Sequence, residues 1–257
     1  MDSGLKNKVA IITGGSDGLG RAAAFRLASE GARVAVMARR RDHLERTAAD
    51  IESVTGAEIL AVPGDVTSSD DCEQAVKQVL DRWGNVDILL NNAGGSRAQG
   101  FEDVSDEMWF EDFDLKVMGA VRMTRLVVPS MRRQRDGRIV NISTVGGKAP
   151  KARQLPTSAS RAAGINLTKS LANQYAPDNI RINTVCIGLV RTSQMDRLAG
   201  GEALDTFYDK LGRERVPLGR VAIAEEFAEL LAFLVSDRAA YITGSAINFD
   251  GGAGLTV

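Results

Sequence analysis

Two cysteines, six prolines and one histidine are all that 257 residues hold of those types, and only 5% of the chain is aromatic. So few thiols exclude a disulfide framework. Cys72 and Cys186 lie in unrelated contexts, a polar helical run and an apolar strand, and read as reduced thiols of an intracellular protein. His43, without a second histidine or clustered carboxylates or cysteines, assembles neither a metal site nor a histidine-based triad, and is expected at the surface. Net charge is nearly absent too. The 32 basic and 33 acidic residues leave −1, so no global field draws the chain to nucleic acid or to an anionic membrane. No run reaches the roughly eighteen apolar residues of a membrane span, and the polar start Met1 to Lys8 lacks a signal peptide's apolar stretch. A cytoplasmic protein is the expectation.

What remains is an ordinary globular balance, 44% hydrophobic and 25% charged, with 26 glycines. That suits one large domain with a sizeable core. Apolar runs rich in Val and Ile recur at Val9–Thr13, Arg33–Ala38, Glu58–Pro63, Asp87–Asn91, Arg138–Ser143, Arg181–Cys186 and Ser245–Phe249. Their continuous apolar character predicts strands covered on both faces. Amphipathic stretches such as Leu19–Glu30 and Ser69–Trp83 lie between them, the second opened by Ser68 and Asp71 at capping-box spacing. Alternation throughout predicts a single α/β domain over residues 1–257: a doubly wound, parallel, seven-stranded sheet with helices on both faces. Arg191 to Val216 is too long and polar for an ordinary connection, and is expected to be a mobile segment covering the substrate.

The first strand runs into Thr13-Gly14-Gly15-Ser16-Asp17-Gly18-Leu19-Gly20 and then an alanine-rich helix. Glycines here let the backbone turn sharply and approach a pyrophosphate, while the helix N-terminus offers amides and the positive end of its dipole. About twenty residues further on, a chain choosing NAD would place a carboxylate against the adenosine ribose. Met37-Ala38-Arg39-Arg40-Arg41 has guanidinium groups and no acid. That favours a ribose 2′-phosphate, hence NADP(H), although Asp17 within the loop would oppose it.

TGGSDGLG, Gly64-Asp65-Val66, Asn91-Asn92-Ala93-Gly94, GRIVNIS, Gly188 to Thr192, PLGR, YITG and DGG together resemble the short-chain dehydrogenase/reductase family over essentially the whole chain. The resemblance implies a Rossmann-type fold in which Asp65 and Val66 hold adenine. Asn92, Ala93 and Gly94 would pass beside the adenosine ribose, and Gly188, Val190 and Thr192 would lie at the nicotinamide, the last two on its carboxamide. It also implies a homodimer or homotetramer, through the long helices and the C-terminal segment.

The resemblance fails where the chemistry lies. Such proteins use Asn, Ser, Tyr and Lys; in register, this chain has Lys116, Thr144, Thr157 and Arg161. Its three tyrosines, Tyr175, Tyr208 and Tyr241, are all elsewhere. A threonine hydroxyl is a far weaker acid than a phenol near 10. Lys116, expected beside Arg161 in a partly buried cleft, would have its pKa lowered, and could act as acid, base or amine nucleophile, unless it merely snorkels to solvent. Thr144 could still orient a carbonyl, and Arg161 could still bind ribose hydroxyls. Lys148, Lys151 and Arg153 suggest a small anionic substrate. Three readings stay open: an oxidoreductase with an altered proton donor, a lyase or isomerase using Lys116 as base or amine, and a catalytically silent nucleotide-binding or assembly partner.

Overall fold

The computed structural model describes residues 3–256. Seven strands form one sheet: β1 (Val9–Thr13), β2 (Arg33–Ala38), β3 (Ile59–Pro63), β4 (Ile88–Asn91), β6 (Gly137–Thr144), β8 (Ile180–Ile187) and β9 (Ala246–Phe249). Every pair is parallel, in the order β3-β2-β1-β4-β6-β8-β9. The short β5 (Ala98–Gln99) and β7 (Leu155–Pro156) pair separately as an antiparallel ribbon. All seven expected strands are present, with ends shifted by a residue at most.

Parallel strands need crossover helices, and these cover both faces. Alternate residues of each strand therefore enter different cores. Ile12, Val34, Leu90 and Val140 pack with Leu27 of α1 (Gly18–Ser29), Leu44 of α2 (Arg41–Thr55) and Phe227 of α9 (Ala224–Val235). Ile11, Met37, Leu89 and Ile139 pack with Val76 of α3 (Ser69–Trp83) and Met123 and Val127 of α5 (Gly119–Gln134). The cap of α3 is half of the expected box. Ser68 Oγ accepts from the Asp71 amide at 3.2 Å, but the Asp71 carboxylate turns to the Asp65 amide at 2.8 Å. His43 is half-buried rather than superficial, and among the described residues its Nε2 lacks a partner.

The helix preceding β6 widens partway along its length. α4 (Asp106–Phe113) passes into a π turn, Asp114–Met118, before α5 begins at Gly119. A wide turn of this kind re-aims side chains and recurs at functional sites. Gly119 lets α5 pass against Val66, since a Cβ there would lie 2.9 Å from Val66 Cγ2. The segment from Arg191 to Val216 is not irregular. It holds α7 (Ser193–Asp196), a 3₁₀ turn at Arg197–Ala199 and α8 (Leu204–Arg215). Among the described residues, no helix is long and apolar enough to cross a membrane.

Candidate active site

The strand order reverses at β1, whose neighbours β2 and β4 lead to opposite halves of the sheet. The carboxyl ends of β1 and β4 diverge there and open a crevice, the usual ligand position in such sheets. Asn92, just past β4, fastens its rim. Its side-chain amide donates to the Thr13 carbonyl at 3.0 Å and the Gly14 carbonyl at 3.1 Å. Thr13 Oγ1 accepts from the Asn92 and Ala93 amides at 3.0 and 3.1 Å. Asn92 thus fixes the turn through its side chain.

The turn itself is dense. Gly14 has φ +65°, and a Cβ at Gly20 would overlap the Gly14 carbonyl. Asp17 caps α1, accepting from the Gly18 amide at 2.7 Å, and its other oxygen accepts from Ser193 Oγ. The first-turn amides of α1, which have no acceptor within the helix, face this crevice end. Arg39 stands exposed past β2 with Nη1 3.8 Å from Asp65 Oδ2.

A cavity of about 540 Å³ extends from this turn across the ends of β4, β6 and β8. Gly14, Asp17, Gly18 and Leu19 line one end, and Asn92, Ala93 and Gly94 the middle. Gly188, Val190 and Thr192 line it beyond β8. Thr144, Thr157 and Arg161 line it as well. Ser16, Gly20, Arg39, Asp65 and Val66 do not; Ser16 is buried and uses its carbonyl to accept from Thr47.

Lys116 is also absent from the lining. The π turn aims it inward, towards the start of α6 (Thr157–Tyr175), and its side chain is 1% exposed. Nζ is ion-paired with the buried Asp112 carboxylate and donates to Thr157 Oγ1 at 2.9 Å. Asp112 also accepts from Ser160 Oγ at 2.5 Å. Burial pushes the Lys116 ammonium down to about 8, with Arg161 and Arg97 adding to the fall and Asp112 opposing it. The expected depression is present, but Lys116 neither reaches solvent nor presents a free amine to the cleft. Direct attack on a carbonyl carbon would require breaking the Asp112 pair and passing Thr157.

Thr157 is the side chain that joins this network to the cavity. Its Oγ1 also accepts from the Arg97 amide at 3.0 Å and donates to the Arg97 carbonyl at 3.2 Å. Arg161, one turn on, is 9% exposed; Nη1 donates to the Ile142 carbonyl at 2.6 Å, and Nε has no partner among the described residues. Burial lowers this guanidinium to about 10, still charged at neutral pH. Gly94 makes room for it, because a Cβ there would lie 2.9 Å from Arg161 Nη2. The Thr144 hydroxyl, at the end of β6, has no partner among the described residues.

Asp112 and Ser160 complete this site and were not singled out from the sequence. The available signal was spacing: Asp112 stands four residues before Lys116, on one helix face, and Ser160 one turn after Thr157.

Residues 8–202 match the family model described as short chain dehydrogenase. The chain is 34% identical over 248 residues to the 3-oxoacyl-acyl-carrier-protein reductase FabG of Thermotoga maritima, covering 96% of this chain and 98% of that one. It superposes with a TM-score of 0.95 and 34% identity, over the full length of both chains, on the L-sorbose reductase of Gluconobacter frateurii complexed with NADPH and L-sorbose. It also matches an NADPH-bound short chain oxidoreductase of Pseudomonas aeruginosa PAO1 described as containing an atypical catalytic center. That match has a TM-score of 0.92 and 32% identity, covering 98% of this chain and all of the other.

Proposed function

Because the chain belongs to the short-chain dehydrogenase family, we propose that it is an NADP(H)-dependent oxidoreductase of a small carbonyl or alcohol substrate, with Lys116 supplying the substrate proton through Thr157. The residues present fit the coenzyme. A Cβ at Gly14 or Gly20 would close the compact turn, the start of α1 favours a pyrophosphate, and the exposed Arg39 at the end of β2 favours a 2′-phosphate, to which it would turn from Asp65, 3.8 Å away. Gly188, Val190 and Thr192 would hold the nicotinamide end, and Arg161 its ribose hydroxyls. When bound, NADPH supplies the hydride. The solved structures just described carry NADPH, which supports the choice of coenzyme.

The observation that carries the reading is the 2.9 Å bond from Lys116 Nζ to a threonine hydroxyl that lines the cleft. In the reductive direction, the substrate oxygen displaces the long 3.2 Å bond from Thr157 to the Arg97 carbonyl. It then takes the hydroxyl proton as Thr157 takes one from Lys116. The product is an alcohol, and Lys116 is left as a neutral amine beside Asp112. After release, a water entering the cleft gives a proton to Thr157 as Thr157 returns one to Lys116, which restores the ammonium. An acid near 8 is well matched to neutral pH, which threonine alone is not. Thr144 orients the carbonyl, and Arg161 stabilises charge building on its oxygen. The amine-nucleophile alternative loses support because Nζ is sealed behind Thr157.

The test is steady-state NADPH oxidation against a ketone panel. Thr157→Ala should lower kcat by about 10²–10³ while NADPH affinity holds, and Thr157→Ser should restore most of it. Wild-type reduction should fall as pH rises past about 8, where Lys116 loses its proton, and Lys116→Met should lack that limb. Full turnover by Thr157→Ala would reject the relay.

Assembly into dimers or tetramers, implied by the resemblance, forms part of this reading. A groove of about 700 Å³ between α5 and α6, lined by Val121, Val128, Leu167 and Leu171, supports the helix pair as the contact.

A further inference from the structure

The charged lining of the cleft is one-sided. Lys151, Arg161, Arg197 and Arg215 line it, against the single acid Asp17. Asp17 is already engaged by the Gly18 amide and Ser193, at the phosphate turn. Arg161 is buried, and among the described residues one backbone carbonyl is its only hydrogen-bond acceptor. Lys151, Arg197 and Arg215 make no side-chain hydrogen bond or ion pair within the described residues, whereas nearby Arg153, Arg191 and Arg220 are paired with Asp103, Asp205 and Glu226.

Position separates these cations. Arg197 lies four residues after Ser193, on the side of α7 that reaches Asp17, and belongs to the phosphate end. Arg215 and Lys151 lie at the other. Val216, next to Arg215, packs on the C-terminal turn at Gly251, and Gly254 of that turn stands against Val145, just past Thr144. Lys151 follows β6 and its amide donates to Gln154 Oε1 at 2.8 Å, a group that also approaches Gly146. β6 is two strand spacings from β1, or about 10 Å, so this end is distinct from the pyrophosphate turn. The carboxylate near it, Asp250, is satisfied by the Gly252 and Gly254 amides at 2.9 and 2.7 Å.

We propose that Lys151 and Arg215 form a subsite for an oxyanion carried by the substrate, a carboxylate or a phosphate monoester, which sets the substrate carbonyl beside Thr144 and Thr157. This rests on the oxidoreductase reading above and narrows its substrate to anionic ketones. Two cations lining one cleft, with no acid of their own, hold an anion by charge-assisted hydrogen bonds and leave a neutral ketone unplaced.

The experiment is calorimetric titration of the NADP⁺-saturated protein with 2-oxoglutarate and with dihydroxyacetone phosphate, each against its neutral counterpart, dimethyl 2-oxoglutarate or dihydroxyacetone. Whichever anion binds identifies the oxyanion. Its affinity should fall about tenfold in the double variant Lys151→Ala/Arg215→Ala, and fall again as salt rises from about 0.05 to about 0.5 M. Arg213→Ala, on the same helix but outside the cleft, should change nothing. Equal binding of charged and neutral probes, no binding of either anion, or unchanged affinity in the double variant would overturn the subsite. So would a comparable loss of NADP⁺ affinity in the double variant, which would assign both cations to the coenzyme. Binding is read without turnover, so the two proposals fail separately. Anion binding at these residues with no NADPH oxidation rejects the oxidoreductase reading, whereas turnover of neutral ketones with no preference for anions rejects the subsite alone.

Discussion

Lys116 offers a stability measurement that needs no substrate. Its side chain is 1% exposed and its pKa falls from 10.5 to about 8 in the folded protein, chiefly through burial. Between those values the unfolded chain binds the proton that the native state releases, so stability must rise with pH across that window. Below about pH 8 the cost of keeping the ammonium buried is fully present; above 10.5 it has gone. A drop from 10.5 to about 8 corresponds to about 3 kcal/mol at about 1.4 kcal/mol per tenfold. Other lysines, tyrosines and cysteines also titrate there, so the useful quantity is a difference. The reference is Lys116→Met/Asp112→Asn, which leaves no lone buried charge and keeps a partner for Ser160. Replacing a buried pair by neutral groups is often neutral or stabilising, so this reference should fold. Urea unfolding at about pH 7.5 and about pH 10.5 should show wild type gaining about 3 kcal/mol on the double variant, a midpoint shift of about 1 M for a steep transition. A difference that stays level, or that falls with pH, would mean that Lys116 keeps its ordinary affinity for protons, and the relay would lose its acid.

Arg39→Ala should weaken NADPH binding about tenfold and leave NADH binding as it was, read by nucleotide fluorescence; an equal loss for both would place the 2′-phosphate elsewhere. Gly20→Ala should destabilise the protein by about 1–3 kcal/mol through overlap with the Gly14 carbonyl, and should abolish the thermal shift that NADPH produces. Ser160→Ala removes the 2.5 Å bond to Asp112 and should cost about 1–3 kcal/mol in urea unfolding while NADPH binding is spared.

The sheet was legible because each strand is apolar on both faces, a pattern that parallel packing alone requires. β1 through β4 with their helices follow from periodicity and the glycine turn. The catalytic end was legible in residue type but not in direction. Lys116, Thr144, Thr157 and Arg161 could be placed by register, yet only three of them line the cleft. The difference lies in the π turn, whose hydrogen-bond pattern no local composition of Asp114–Met118 announces. Asp112 was overlooked because a carboxylate four residues before a lysine is usually a solvated surface pair. Here, α6 lies across it and removes the water. Arg215 was hidden for another reason: its place in the cleft depends on how α8 folds back to the C-terminal turn, a long-range packing result.

A π turn accommodates one residue more than a regular turn of helix would. Deleting a single residue within Asp114–Met118 would convert it to ordinary helix and rotate one flank against the other by about 100°. Such a chain would keep every functional side chain and yet swing the amine away from the hydroxyl that it serves. Under the proposed relay, the reactivity of this pocket would be indexed to chain length in one short stretch as much as to residue identity, and insertion or deletion there would be a route by which related proteins gain or silence it.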